Sequence, residues 1–306
     1  MRQPRRIGTP GGTSPLPYRR VAAFVAGLRP RPHPDIQCRV RQHCRHRALK
    51  LTLPTPLPAR RFSPTRFVRR HAPPCLRSAS PRHQINAIRQ ASRKPPMSTH
   101  TPQALLFDLG GVLVDIDFGR AISAWAPYSA LSSAELRKSF TYDFQYERHE
   151  RGEIEGAEYF DHLAKTLQLD ATHEQIEHGW TAIFVGEIRQ TRVLVEAMRG
   201  ILPCYAFTNT NATHMAAWSK LFPSVVGAFD KIFTSHELGL RKPERAAFDR
   251  ICHLTETPAS SIVFFDDLPE NVQAAKKAGL QGVLVRSPED VATSLRSLVR
   301  QLREAS

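Results

Sequence analysis

The chain is 306 residues long, enough for one or two domains and a sizeable buried core. Its net charge of +15 is local: residues 1–96 hold 22 Lys and Arg against a single acid, Asp35, and the rest sums to −6, so nucleic-acid binding is expected only through the first third. Five scattered cysteines (Cys38, Cys44, Cys75, Cys204, Cys252) do not read as a disulfide framework, and no apolar run approaches the roughly 20 residues of a membrane helix, so a reducing, cytoplasmic setting without membrane partners is expected.

Residues 1–96 hold 16 of the 24 prolines and no sustained hydrophobic period. Such a stretch cannot bury enough apolar surface to offset its chain entropy and reads as a disordered extension. A basic, acid-poor tail fits an organellar transit segment, which would change the compartment, or a nucleic-acid-binding arm. The reading favoured by the abrupt change of pattern is a start assigned too early, with Met97 as the true first residue. Cys38, His43, Cys44 and His46 lack the paired spacing of a metal site.

From Met97, short apolar runs alternate with helical stretches. Strands are expected at 104–107, 205–207, 231–233, 262–265 and 282–285. Helices are expected at 212–221 behind Asn211 as N-cap, at 243–254 with Pro243 in the first turn, and at 269–278 with Pro269 just past a carboxylate pair. This alternation predicts an α/β fold with a doubly wound parallel sheet and a site at the carboxyl ends of its strands. Residues 115–201 read as helix throughout, as at 133–144 and 158–167, and are too long for a crossover. They are expected to form an inserted all-helical cap on a core of residues 97–114 and 202–306.

Four segments end an expected strand or open the next helix with a reactive group. They are Phe107-Asp108-Leu109-Gly110-Gly111, Phe207-Thr208-Asn209, Leu240-Arg241-Lys242-Pro243-Glu244 and Phe265-Asp266-Asp267-Leu268-Pro269-Glu270-Asn271. A phosphoryl-transfer transition state needs cations and hydrogen-bond donors around its oxygens. Asp108 can serve as nucleophile, Lys242 can supply fixed positive charge, and Thr208 and Asn209 can donate to a phosphoryl oxygen. Asp108 with the Asp266 and Asp267 pair offers oxygen ligands suited to Mg2+. Glycines at 110 and 111 allow a tight turn beneath the phosphate.

In this order and spacing, the four segments resemble the four motifs of the haloacid dehalogenase superfamily, and the insert sits where that family carries a helical cap. The resemblance spans residues 104–285 and implies a Rossmann-like core. It also implies an aspartyl phosphate on Asp108, and Mg2+ held by Asp108, the Gly110 carbonyl and Asp267, with Asp266 in support. The strings Asp115-Ile116-Asp117-Phe118, His149-Glu150-Arg151-Gly152-Glu153-Ile154 and His178-Gly179-Trp180 look most like the bacterial alpha-D-glucose-1-phosphate phosphatases. That narrower likeness implies a sugar phosphate as the small-molecule partner.

One departure stands out. The family pattern places an acid/base Asp two residues after the nucleophile, where this chain has Gly110. An anomeric hydroxyl, being more acidic than an ordinary alcohol, would lean less on such an acid. Competing readings are a metal-independent haloacid dehalogenase and a phosphate-binding regulator without turnover. In the insert, His149, Glu150 and Arg151 fit either the substrate or a charged helix surface. Trp125 and Trp180 fit a hydrophobic core better than a sugar platform. His173 and His178 are wrongly spaced for a zinc helix.

Overall fold

The computed structural model describes residues 101–304. The disordered extension expected over residues 1–96 and the start expected at Met97 lie outside the described residues. No helix among the described residues is long and apolar enough to cross a membrane.

Strands β1 (Ala104–Phe107), β4 (Cys204–Thr208), β5 (Lys231–Thr234), β6 (Ile262–Asp266) and β7 (Gln281–Leu284) form one parallel sheet in the order β5-β4-β1-β6-β7. The chain runs outward from β1 through β4 to β5, then crosses back to β6 on the other side of β1. The switch therefore lies between β1 and β6, where doubly wound sheets open a crevice at their carboxyl ends.

Both sheet faces are covered, which is why the strands read as continuous apolar runs. Leu105, Phe107, Cys204, Ala206, Val263 and Phe265 face one side. There they meet α6 (Arg189–Met198), α7 (Ala212–Leu221), α8 (Pro223–Val226) and α12 (Pro288–Glu304). Ala104, Leu106, Phe207, Ile262 and Phe264 face the other, against α10 (Arg245–Leu254) and α11 (Pro269–Lys277). A short α9 (Ser235–Leu238) follows β5. The expected second helix starts at Arg245 rather than Pro243, because residues 241–244 close a turn in which Glu244 N–H donates to Arg241 O (2.9 Å).

The insert carries α1 (Phe118–Trp125), α2 (Ser133–Ser139), α3 (Phe144–Glu150), α4 (Gly156–Leu167) and α5 (His173–Thr181). These helices enclose a core of their own around Trp125, Tyr159 and Trp180, so both tryptophans are packing residues. Two corrections apply to the all-helical expectation. The helix expected over 133–144 breaks after Ser139, because Asp143 caps a new helix by accepting from Tyr146 N–H (2.9 Å). The insert also opens and closes on an antiparallel ribbon, β2 (Val114–Ile116) with β3 (Phe184–Glu187). Strands of three and four residues whose partners lie far apart in sequence give no periodic signal. Within the stretch assigned to the cap, α6 turns Leu194, Val195 and Met198 onto the sheet.

Gly179 on α5 lies against α1: a Cβ there would sit 2.2 Å from Trp125 Nε1, whose N–H already donates to Ile176 O at 3.0 Å. The indole is fully buried. Gly179→Ala should therefore overpack the insert and lower stability by about 1–3 kcal/mol, read from the urea midpoint. An unchanged midpoint would contradict this packing.

Candidate active site

Strand alternation builds the centre. Asp108 follows β1, and its N–H donates to Phe265 O (2.8 Å), extending the β1–β6 pairing by one residue. With a side-chain period of two, Asp108 continues the face of Ala104 and Leu106, and Asp266 that of Ile262 and Phe264. Two carboxylates thus leave neighbouring strands on the same side of the switch point. Lys242 enters there from the turn before α10. Its Nζ lies 2.9 Å from Asp108 Oδ1 and 2.8 Å from Asp266 Oδ2, and 5.5 Å above each of the Phe207 and Phe264 rings.

Lys242 is 1% exposed. Burial works against its charge, but Asp108 and Asp266 outweigh it and hold the ammonium above its ordinary pKa. Asp266 is fully committed. Its Oδ1 accepts from Leu268 N–H (2.8 Å) and Asn271 Nδ2 (3.1 Å), and its Oδ2 from Asn271 Nδ2 (3.1 Å) as well as Lys242. Asp108 Oδ1 accepts from Leu109 N–H (2.7 Å), while Oδ2 has no hydrogen-bond partner among the described residues.

Oxygens of Asp108, Asp266 and Asp267 lie within 4.8 Å of one another, and only the first two pair with the ammonium. Burial raises the Asp108 pKa well above the usual range; Lys242 offsets part of this, and Asp266 and Asp267 add to it. Burial and Asp266 push Asp267 up to about 7. A buried, oxygen-only donor set with excess negative charge fits a hard divalent cation. Gly111, at φ +72°, brings the loop so close that a Cβ would lie 2.4 Å from Asp267 Oδ2. The loop's own bonds run to Leu109 O and Val114 O and leave the Gly110 carbonyl outside them.

Thr208 is buried at the end of β4, and its hydroxyl has no hydrogen-bond partner among the described residues. Asn209 is partly engaged elsewhere. Its Oδ1 accepts from Lys242 N–H (2.8 Å) and its Nδ2 donates to Lys242 O (2.9 Å), so its side chain clamps the lysine backbone and keeps one amide hydrogen over. At Gly110, a Cβ would meet Ile116 Cδ1 at 3.2 Å, so an isoleucine crowds the space where an acid/base side chain would begin. His149 and Glu150 are buried and Arg151 pairs with Glu244, so none of the three stands on a free charged surface. Sequence reasoning missed Asn271, which anchors Asp266 from the first turn of α11, and Arg241, which binds Glu150 at 2.7 Å. A polar residue one turn past the carboxylate pair was the available signal for Asn271.

A carboxyl that holds its proton more tightly in the folded than in the unfolded chain adds stability at low pH and loses it as pH rises through its folded value. Metal-free wild type should therefore lose melting temperature relative to Asp267→Asn between about pH 4 and pH 7, the span from an ordinary carboxyl to the raised Asp267 value. A difference that does not change with pH would rule out a raised Asp267.

Comparison with known proteins agrees with this architecture. The family model described as haloacid dehalogenase-like hydrolase matches residues 102–279. D-ribitol-5-phosphate phosphatase of Bacteroides thetaiotaomicron is 25% identical over 182 residues, covering 58% of this chain and 88% of that protein. Sesquiterpene phosphatase astK of Aspergillus oryzae is 27% identical over 206 residues, covering 65% and 97%. Drimenol cyclase drtB of Aspergillus calidoustus is 26% identical over 208 residues, but the chain spans only 36% of its length. Among solved structures, a HAD family enzyme from Bacteroides thetaiotaomicron in complex with magnesium superposes with a TM-score of 0.58 at 25% identity, covering 64% of this chain and 100% of that one. The same enzyme with magnesium and inorganic phosphate gives 0.54 at 25%, covering 60% and 94%. The chain belongs to the haloacid dehalogenase-like hydrolases.

Proposed function

We propose that the chain is a Mg2+-dependent phosphomonoester hydrolase acting on a small sugar phosphate through an aspartyl phosphate on Asp108. The observation that carries this reading is the grouping of three carboxylates about one buried ammonium, with Asp108 Oδ2 left uncommitted. The similar phosphatases, and a similar enzyme crystallised with magnesium and phosphate, support it.

Asp108 Oδ2 attacks phosphorus, and the bond from phosphorus to the ester oxygen breaks with its electron pair going to the leaving group. Lys242 and the Thr208 hydroxyl, with the spare amide hydrogen of Asn209, meet the phosphoryl oxygens. Asp108, Asp267 and the Gly110 carbonyl would hold Mg2+, with Asp266 fixing Lys242 rather than binding metal. When bound, Mg2+ shields the anionic nucleophile from the anionic substrate. Water then cleaves the bond between phosphorus and Oδ2 and releases phosphate.

With Gly110 bare and Ile116 against it, the leaving oxygen departs without a side-chain acid from that loop. This suits an anomeric hydroxyl and supports glucose 1-phosphate, the substrate implied by the motif strings, over a primary-alcohol ester. The D-ribitol-5-phosphate relative supports the broad class of small polyol phosphates but, its ester being that of a primary alcohol, not the choice of an anomeric one.

Wild type should release phosphate from p-nitrophenyl phosphate with Mg2+, and Asp108→Asn should fall to background. Halide release from a 2-haloacid that survives EDTA, without phosphate release, would favour metal-independent dehalogenation, and phosphate binding without turnover would favour a regulator. Turnover of glucose 1-phosphate should exceed that of glucose 6-phosphate; equal rates would sink the anomeric account while leaving the phosphatase intact.

A further inference from the structure

The turn carrying Lys242 is gripped from two sides. From the core, Asn209 holds the Lys242 peptide through both its N–H and its carbonyl. From the insert, α3 holds the preceding residue. Arg241 Nε donates to Glu150 Oε2 at 2.7 Å, and Arg241 Nη1 lies 3.3 Å from Glu147 Oε1. A flanking pair joins Arg151 Nε to Glu244 Oε1 at 2.8 Å.

These contacts are not equivalent. Glu147 and Glu244 are 36% and 30% exposed in their side chains, and ion pairs of that kind contribute little. Glu150 is 6% exposed against 15% for Arg241. Burial raises the Glu150 carboxyl pKa, and Arg241, Tyr146 and Lys242 offset part of that rise. A buried pair of this kind recovers little net stability over its desolvation cost, and its best-attested use is to fix a geometry. The geometry in reach is that of Lys242, the next residue along the chain.

We propose that Glu150 is a positioning residue of the insert, which sets the place of the Lys242 ammonium through its grip on Arg241. This rests on the reading of Lys242 as the phosphate-facing cation. Glu150 makes no hydrogen bond or ion pair with the carboxylate cluster; it fixes one end of a short lever whose other end is Nζ.

The test is steady-state turnover of p-nitrophenyl phosphate with Mg2+ by the full chain. Glu150→Gln should lower kcat at least tenfold while KM stays within about threefold, since ground-state binding is spared. In a Lys242→Arg background, which keeps a charge but not its placement, the same Glu150→Gln change should cost less than threefold. Glu150→Gln leaves Arg241 buried beside only its weaker partner, so Glu150→Gln/Arg241→Gln, which removes both charges, guards against misfolding. It should melt near wild type and keep the loss in kcat. Wild-type kcat in Glu150→Gln or in the double variant overturns the proposal, as does an equal cost of Glu150→Gln in both backgrounds. An undiminished Lys242→Arg enzyme overturns the reading of Lys242 itself and the proposal with it.

Discussion

The ammonium of Lys242 between Asp108 and Asp266 is the interaction on which the rest of the site depends. Sealed from water over two phenyl rings, it holds its charge because two carboxylates face it. Those carboxylates can both face it because β1 and β6 are neighbours in parallel register, with Phe107 opposite Phe265. Removing both would leave the buried ammonium uncompensated. Asn271 and Leu268 N–H hold Asp266, and Asn209 holds the lysine backbone, so the surrounding polar groups serve largely to keep that geometry.

The core was readable from the sequence because β1, β4 and β6 are short apolar runs that lead into the polar residues of the site, Asp108, Thr208 and Asp266. Helix α7 begins where Asn211 as N-cap foretells, and its side chain accepts from His214 N–H at 2.9 Å. The insert was less legible. Its helices depend on caps such as Asp143, and its ribbon joins residues with no local relation to one another. In the site, residue types pointed to the chemistry but not to the division of labour. That Asn209 spends its amide on the lysine backbone, and that Asp266 is saturated while Asp267 borders Gly111, are facts of tertiary contact.

The seam between insert and core is tightly made. The Trp180 ring stacks on His214 at 4.3 Å, His214 Nε2 lies 3.0 Å from Trp180 O, and a Cβ on Gly152 would sit 2.5 Å from His236 O. Burial drives His214 down to about 3, so that ring is neutral at physiological pH and packs as an aromatic. The seam is thus mainly apolar and neutral near Trp180, and ionic where α3 meets the turn at Arg241.

The ribbon of β2 and β3 has a mechanical consequence. It starts at Val114, three residues beyond Gly111, and Ile188 N–H, just past its far strand, donates to Leu113 O at 2.7 Å. The loop that carries Asp108 and the insert are therefore tied together through one short hydrogen-bonded ribbon, which shifts register between Asp115 and Ile116. A displacement of the insert at this ribbon would reach the loop that carries Asp108 through only a few peptide units.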